Sequence, residues 1–254
     1  MTIRLHVAQP LEAGAEWALP DDAARHAQVR RVQPGDALRL FDGTGHEWQA
    51  TVTAMGRRSV HVRVEQAVTA TPELACRVTL AVGVPANERM DTLVEKATEL
   101  GVAAIQPLLC ERAVVRLVGE RAERRQAHWQ GIAVAACEQS GRATVPRIEP
   151  VRPWADWLTG LTAGSGGLRW VLSTAADAPP PAVPGAHKTP ELLVLSGPEG
   201  GLAPHEEQAA VDAGFQRVSL GPRILRADTA PLALLAWASL VIQDFVHTRL
   251  GPPA

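Results

Sequence analysis

Two turns limit what this chain can fold into more than any other feature. Ser196-Gly197-Pro198-Glu199-Gly200-Gly201 and Leu220-Gly221-Pro222-Arg223 each follow directly on a run of β-type apolar residues. Glycine lets the backbone approach a ligand closely and take dihedrals closed to other residues. Proline fixes φ and removes an amide donor. Two such loops at strand ends imply one site built from main chain, in a crevice at the carboxyl ends of strands.

The remaining periodicity supplies the strands. Up to about residue 70 the chain shows short alternating or β-branched runs, RLHVAQP, ALRLFDG, EWQATVTAM and VHVRVEQAV. Turns at Pro34-Gly35-Asp36 and Asp42-Gly43-Thr44-Gly45 separate them, and one helix-like insert runs from Pro20 to His26. This spacing predicts a small β-barrel over residues 1–70. From residue 73 to 254, strand-like RVTLAVGV, AAIQPLL and LRWVLS alternate with helical segments. Met90, Leu93, Val94, Ala97 and Leu100 keep helical spacing up to Gly101, and a long helix is expected from about Glu120 to Gln139. The alternation predicts an α/β domain with a mostly parallel sheet. Ala178 to Pro190 reads as a proline-rich surface connection, and Gly164-Ser165-Gly166-Gly167 as a linker.

Composition excludes several classes. With 254 residues, 20% charged, and a formal net charge of −2, the chain has neither a disordered composition nor a wholesale basic surface, so nucleic-acid binding requires a local patch. Cys76, Cys110 and Cys137 are too far apart for a zinc knuckle and suit a reducing cytoplasm. No His/Cys/Asp cluster has metal-ligand spacing, since His205-Glu206-Glu207 lacks a second histidine, and no metal is expected. No apolar h-region opens the chain. The apolar stretch from Thr229 to Ile242 is about 14 residues, short of the roughly 20 that cross a bilayer. It is expected to be a buried helix.

The ligand of the two turns is only partly constrained by chemistry. A phosphate loop needs Lys-Ser or Lys-Thr opening a helix, and GPEGGLAP has neither. No G-x-G-x-x-G follows a strand. Glu199 would repel phosphate, so a cationic or phosphate-free ligand fits better, and S-adenosylmethionine is one such ligand.

The segment LSGPEGGLAPHEEQAAVDAGFQRVSLGPRILRADTAPLALLA resembles the C-terminal signature of the SPOUT methyltransferases, and within them the RsmE-type family. VPANERMDTLVEKATELGVAAIQPLLCERAVVR and WQGIAVAACEQSGR resemble that family's middle segments in order and spacing. His26, Val29, Arg31, Pro34-Gly35-Asp36 and Leu40-Phe41-Asp42-Gly43 resemble its PUA-like, RNA-binding β-barrel. The resemblance implies a C-terminal SPOUT domain with a deep trefoil knot. It implies methylation of N3 of one uridine in the decoding region of 16S ribosomal RNA, as free RNA or assembled small subunit, by a homodimer in the cytoplasm. S-adenosylmethionine would be held by Leu172, Ser173, Leu195, Gly197, Glu199, Gly200, Gly201, Leu220, Gly221, Ile224, Leu225, Thr229 and Ala230. The apolar helix from Thr229 would form the dimer, since a helix apolar all round must be covered all round.

Uracil N3 carries a proton at neutral pH, so transfer needs positioning and either a base or a cation that stabilises the uracil anion. Arg223 and Arg226 either supply that charge or pair with Glu199 or Asp228. Glu199 either steadies the sulfonium, acts as base, or makes a structural hydrogen bond. Arg25, His26, Arg30 and Arg31 are candidate RNA contacts, with a solvated helix face as the alternative for the arginines and a helix-surface or satisfied core histidine for His26. Arg142, in the Glu138-to-Arg142 motif, is a candidate for RNA or the other subunit. The chain departs from the family at Arg30, where leucine is common, and at Ala86-Asn87, where lysine with glycine is common. A SPOUT enzyme acting on another RNA such as tRNA, and a non-catalytic RNA-binding assembly factor, are the competing readings.

Overall fold

The computed structural model describes residues 2–86, 88–161, 167–182 and 191–250, with 242–250 as backbone only. Asn87, Gly164 to Gly166 and the later part of the proline-rich connection lie outside the described residues. The chain divides into two compact units. One comprises residues 1–73 together with 134–145, the other 74–133 together with 146–254.

The first unit contains β1 (Ile3–His6), β2 (Glu16–Ala18), α1 (Asp21–Val29), β3 (Ala37–Phe41), β4 (Glu47–Met55) and β5 (Val60–Val68). The strands pair in the order β1-β3-β4-β5-β2, with β1 parallel to β3 and the other pairs antiparallel. β5 shows why the sheet has one dry face. Val60, Val62 and Val64 are buried while His61, Arg63 and Glu65 are exposed, the period-2 alternation of a half-covered strand. α1 closes the core with an alanine face, Ala23, Ala24 and Ala27, which permits close approach to Leu5, Leu38 and Val62.

The sequence carried no periodic signal for the second piece of this unit. Residues 134–145 comprise the end of α3 (Glu120–Ser140), a helix that begins in the other unit, and the loop after it. Phe41, Cys137 and Ala143 form a small apolar cluster with Ala70 and Val145 beside it. Charges surround that cluster. Glu138 accepts the His6 backbone N–H at 3.0 Å and pairs with His26 Nδ1 at 2.9 Å. Arg4 donates to Glu47 at 2.8 Å and to the Arg142 carbonyl at 2.9 Å, with its guanidinium over the Phe41 ring. The Arg142 guanidinium, in a residue 6% exposed, grips Glu73 through two nitrogens. The Glu138-to-Arg142 motif therefore completes the N-terminal unit.

The second unit adds β6 (Arg77–Gly83), α2 (Arg89–Glu99), β7 (Ala104–Leu109), β8 (Arg147–Ile148), β9 (Arg152–Pro153), α4 (Trp154–Thr159), β10 (Leu168–Leu172), β11 (Glu191–Ser196), α5 (Pro204–Asp212), β12 (Gln216–Val218) and α6 (Thr229–Leu250). Its sheet runs β12-β10-β11-β6-β7-β8, with β9 also on β7, and every pair is parallel. β7 is a nearly unbroken buried run, as a parallel strand covered on both faces should be. Trp154 and Trp157 of α4 and Ala210 of α5 pack with Ala81, Val171, Leu195 and Phe215. α6 packs on β6 and β11 and against α2. Gly101 ends α2 with φ +93°, where the apolar spacing predicted the stop.

Breaking a buried ion pair leaves an uncompensated charge, and here the partly exposed Glu73 softens the loss. Arg142→Met is expected to lower unfolding stability by about 2 kcal/mol in urea titrations followed by circular dichroism. An unchanged midpoint would show that the pair does not hold residues 134–145 in place.

Candidate functional site

Parallel register puts three chain turns at one end of the second sheet. Val171 pairs with Leu195, Leu172 with Val218, and Ser196 with Val82, so β10, β11, β12 and β6 end side by side. The turns that follow enclose a cavity of about 560 Å³. Its walls are Leu172 to Thr174, Ser196 to Leu202, Val218, Leu220, Gly221, Arg223 to Ala227 and Ala230, with Arg89, Arg112 and Glu207. Of the sequence-nominated cofactor residues, Leu172, Ser173, Gly197, Glu199, Gly200, Gly201, Leu220, Gly221, Ile224, Leu225 and Ala230 line it. Leu195 lies behind it in the core, fully buried, and Thr229 opens α6 next to it.

The glycines are dictated by space. A Cβ on Gly197 would stand 2.6 Å from the Leu202 nitrogen, so the 197–202 turn closes only without one. Gly221 has φ +103°, a conformation costly for any side-chain-bearing residue. At the end of β6, a Cβ on Gly83 would meet Pro198 Cδ at 2.5 Å and Pro198 N at 2.6 Å. The strand end and the turn touch backbone to backbone.

Side chains then fix the turn. Glu199 Oε1 accepts the Ala86 N–H at 2.8 Å and an Arg89 N–H at 3.0 Å. Arg112 donates to the carbonyls of Gly200 at 3.1 Å and Leu202 at 3.4 Å. Buried Glu206 accepts from the Ala203 and Glu111 amides, capping α5 and holding the chain after β7. Glu207 accepts from Ser173 Oγ at 3.0 Å and Arg217 Nε at 2.7 Å, which draws the end of β10 to α5. Arg223 and Arg226 are exposed at the cavity and have no ion-pair partner among the described residues; Glu199 is paired with Arg89 instead. The site thus presents Arg223 and Arg226, with Arg112 held on carbonyls alone, as three cations without a carboxylate partner among the described residues.

Burial pushes the Cys110 thiol up to about 12, and Cys76 and Cys137 up to about 11, so all three are inert. No group of metal-ligating side chains occurs among the described residues, and no helix among them is long and apolar enough to cross a membrane.

Comparison with known proteins gives this geometry its context. A family model described as an RNA methyltransferase domain matches residues 72–239, and one described as an RNA methyltransferase PUA domain matches residues 19–65. The chain is 33% identical over 222 residues to the ribosomal RNA small subunit methyltransferase E of Synechocystis, covering 85% of this chain and 70% of that one. It is 29% identical over 241 residues to the protein of that name from Bacillus subtilis, covering 90% and 91%. The chain belongs to the RsmE-type RNA methyltransferase family. Among solved structures, the Neisseria gonorrhoeae ribosomal RNA small subunit methyltransferase E bound to S-adenosylmethionine superposes with TM-score 0.86 at 35% identity, over 98% of each chain. A Legionella pneumophila methyltransferase in complex with the same cofactor superposes with TM-score 0.87 at 29% identity, over 95% of this chain and 98% of that one.

In this RsmE-type chain the RNA-contact candidates all lie in the N-terminal unit. Arg25, Arg30 and Arg31 are exposed at α1. His26 is turned to Glu138, and Arg142 is buried on Glu73. Sequence reasoning did not single out Arg89, Arg112 or Glu207. The usable signal was weak: Arg89 opens an amphipathic helix, and Arg112 follows a buried strand.

Gly83→Ala tests the backbone contact. Inserting a Cβ into space occupied by Pro198 is expected to cost about 1–3 kcal/mol in denaturant unfolding. An alanine variant as stable as the parent would mean that β6 and the 197–201 turn do not meet there.

Proposed function

We propose that this chain methylates N3 of one uridine in the decoding region of 16S ribosomal RNA, with S-adenosylmethionine as donor, as a homodimer. The observation that carries the reading is the cleft at the carboxyl ends of β10, β11 and β12, walled by glycine-turn backbone and flanked by Arg223 and Arg226 without ion-pair partners among the described residues. Its volume of about 560 Å³ lies within the range of cofactor pockets, roughly 300–1,000 Å³. Amides and carbonyls of the 197–201 and 220–225 segments offer donors and acceptors to an adenine edge, without the lysine a phosphate loop would need. Two solved relatives, at 35% and 29% identity, carry S-adenosylmethionine.

When bound, this cofactor supplies an electrophilic methyl group. The chain's own residues do the rest. Glu199, anchored by Ala86 and Arg89, holds the first turn in shape. Arg223 and Arg226 place positive charge at the cleft, which stabilises the N3 anion of uracil once solvent has taken its proton. The N-terminal unit, matched by a PUA model, holds the RNA.

α6 supports the dimer. Ala233 and Leu240 are exposed and Ala236 and Trp237 half-buried, a helical stripe of apolar side chains left uncovered in one chain. A second copy laid on this stripe would cover it, along with Ile224, which is 87% exposed. The same reading places the two glycine turns in a trefoil knot.

Calorimetry with S-adenosylmethionine is expected to show one site per chain, and no binding would overturn the reading. In Arg223→Ala, methyl transfer to RNA is expected to fall about 10²–10³-fold with cofactor affinity retained. Unchanged turnover would remove Arg223 from the mechanism.

A further inference from the structure

The exposed arginines of the N-terminal unit fall into two sets. Arg63, on β5, is held by Glu16. Arg25, Arg30, Arg31, Arg57 and Arg58 have no carboxylate within ion-pair distance among the described residues, and Arg30 instead touches the His26 ring at 3.4 Å. Elsewhere in the unit Arg4 pairs with Glu47 and Arg142 with Glu73, while half-buried Arg39 has no carboxylate within ion-pair distance among the described residues. The five that are exposed come from two separate segments, the second half of α1 with the residues just after it, and the turn between β4 and β5.

A single side chain joins those segments. Gln28 of α1 donates Nε2 to the carbonyls of Gly56 at 3.2 Å and Arg57 at 3.3 Å, seating the turn beside the end of the helix. Arg57 and Arg58 thereby extend the charge of Arg25, Arg30 and Arg31 over one surface.

Arg31 is set apart by its backbone conformation. It has φ +57°, the one left-handed non-glycine residue among the described residues. Its N–H bonds back to the Gln28 carbonyl at 2.9 Å, and the Val32 N–H to Ala27 at 3.3 Å. This is the position after a helix end that glycine ordinarily takes. An arginine there is sterically disfavoured, and strain of that kind concentrates at functional positions.

We propose that Arg57 and Arg58, with Arg25, Arg30 and Arg31, form one phosphate-binding surface that seats the RNA backbone on the N-terminal unit. The proposal rests on the reading of the chain as an RNA methyltransferase. Phosphodiester is the ligand these groups suit, because the planar guanidinium fork matches two phosphate oxygens and stays charged at every working pH. Such contacts set position and register and do not read base sequence.

The test is fluorescence anisotropy with a fluorescein-labelled fragment of small-subunit ribosomal RNA carrying the decoding region, titrated at several salt concentrations. Arg57→Ala/Arg58→Ala is expected to weaken binding roughly tenfold or more and to lower the salt-dependence slope by about 1–2, leaving S-adenosylmethionine affinity unchanged. Arg63→Ala, which removes an exposed but paired arginine, is expected to change neither. Arg31→Gly is expected to raise the melting temperature while weakening RNA binding. The proposal is overturned by unchanged affinity and slope in the double variant, by an equal loss in Arg63→Ala, or by Arg31→Gly that binds RNA as the parent does. A parent protein that binds cofactor and methylates RNA alongside an unaffected double variant overturns this surface alone. A parent that binds no RNA overturns the methyltransferase reading with it.

Discussion

The cleft depends on backbone meeting backbone where β6 ends and the 197–202 turn begins. No Cβ fits on Gly83 against Pro198, or on Gly197 against Leu202. Because β6, β11, β10 and β12 are parallel and in register, that contact places the ends of all four strands within one short arc. The turns leaving them then have nowhere to go but around a common space. Arg89 and Arg112 lock the turn from outside, so its peptide groups are fixed before any ligand arrives. A site of this kind spends little ordering entropy on binding.

Charge is apportioned between the two units in different ways. In the C-terminal unit most acids near the cleft are already committed, Glu199 to Arg89, Glu206 to amides, Glu207 to Ser173 and Arg217. Arg223, Arg226 and Arg112 then line the cleft without a carboxylate partner among the described residues, and the buried Asp228 Oδ1, two residues after Arg226, has no hydrogen-bond partner among them. In the N-terminal unit, buried pairs close the structure around α3's end, and five unpaired arginines lie at the surface. A net charge of −2 over the whole chain conceals both arrangements.

Much of this was legible in the sequence because short-range physics writes it there. β4 and β5 begin and end at the residues where the alternation does, and α2 stops just before Gly101. The two glycine turns announced a shared space at strand ends, and both line one cavity together with the turn after β10. What periodicity could not show was long-range. Residues 134–145 read as the end of a helix in the α/β half, and long-range contacts, such as Glu138 with His6 and His26, Arg142 with Glu73 and Cys137 with Phe41, reveal that they complete the other unit. β2, β8, β9 and α4 are too short for a period to register. Glu199's partners stand 113 and 110 residues away, so its role as an anchor had no local signature.

The central claim is a reaction at one atom, and the product tests it most directly. Purified protein, S-adenosylmethionine and small ribosomal subunits from a strain lacking this activity would be incubated together, and the RNA digested to nucleosides for mass spectrometry. The account predicts 3-methyluridine, mapped by fragment analysis to a single position in the decoding region. Methyl groups on another base or another uridine atom, or no transfer at all, would contradict it.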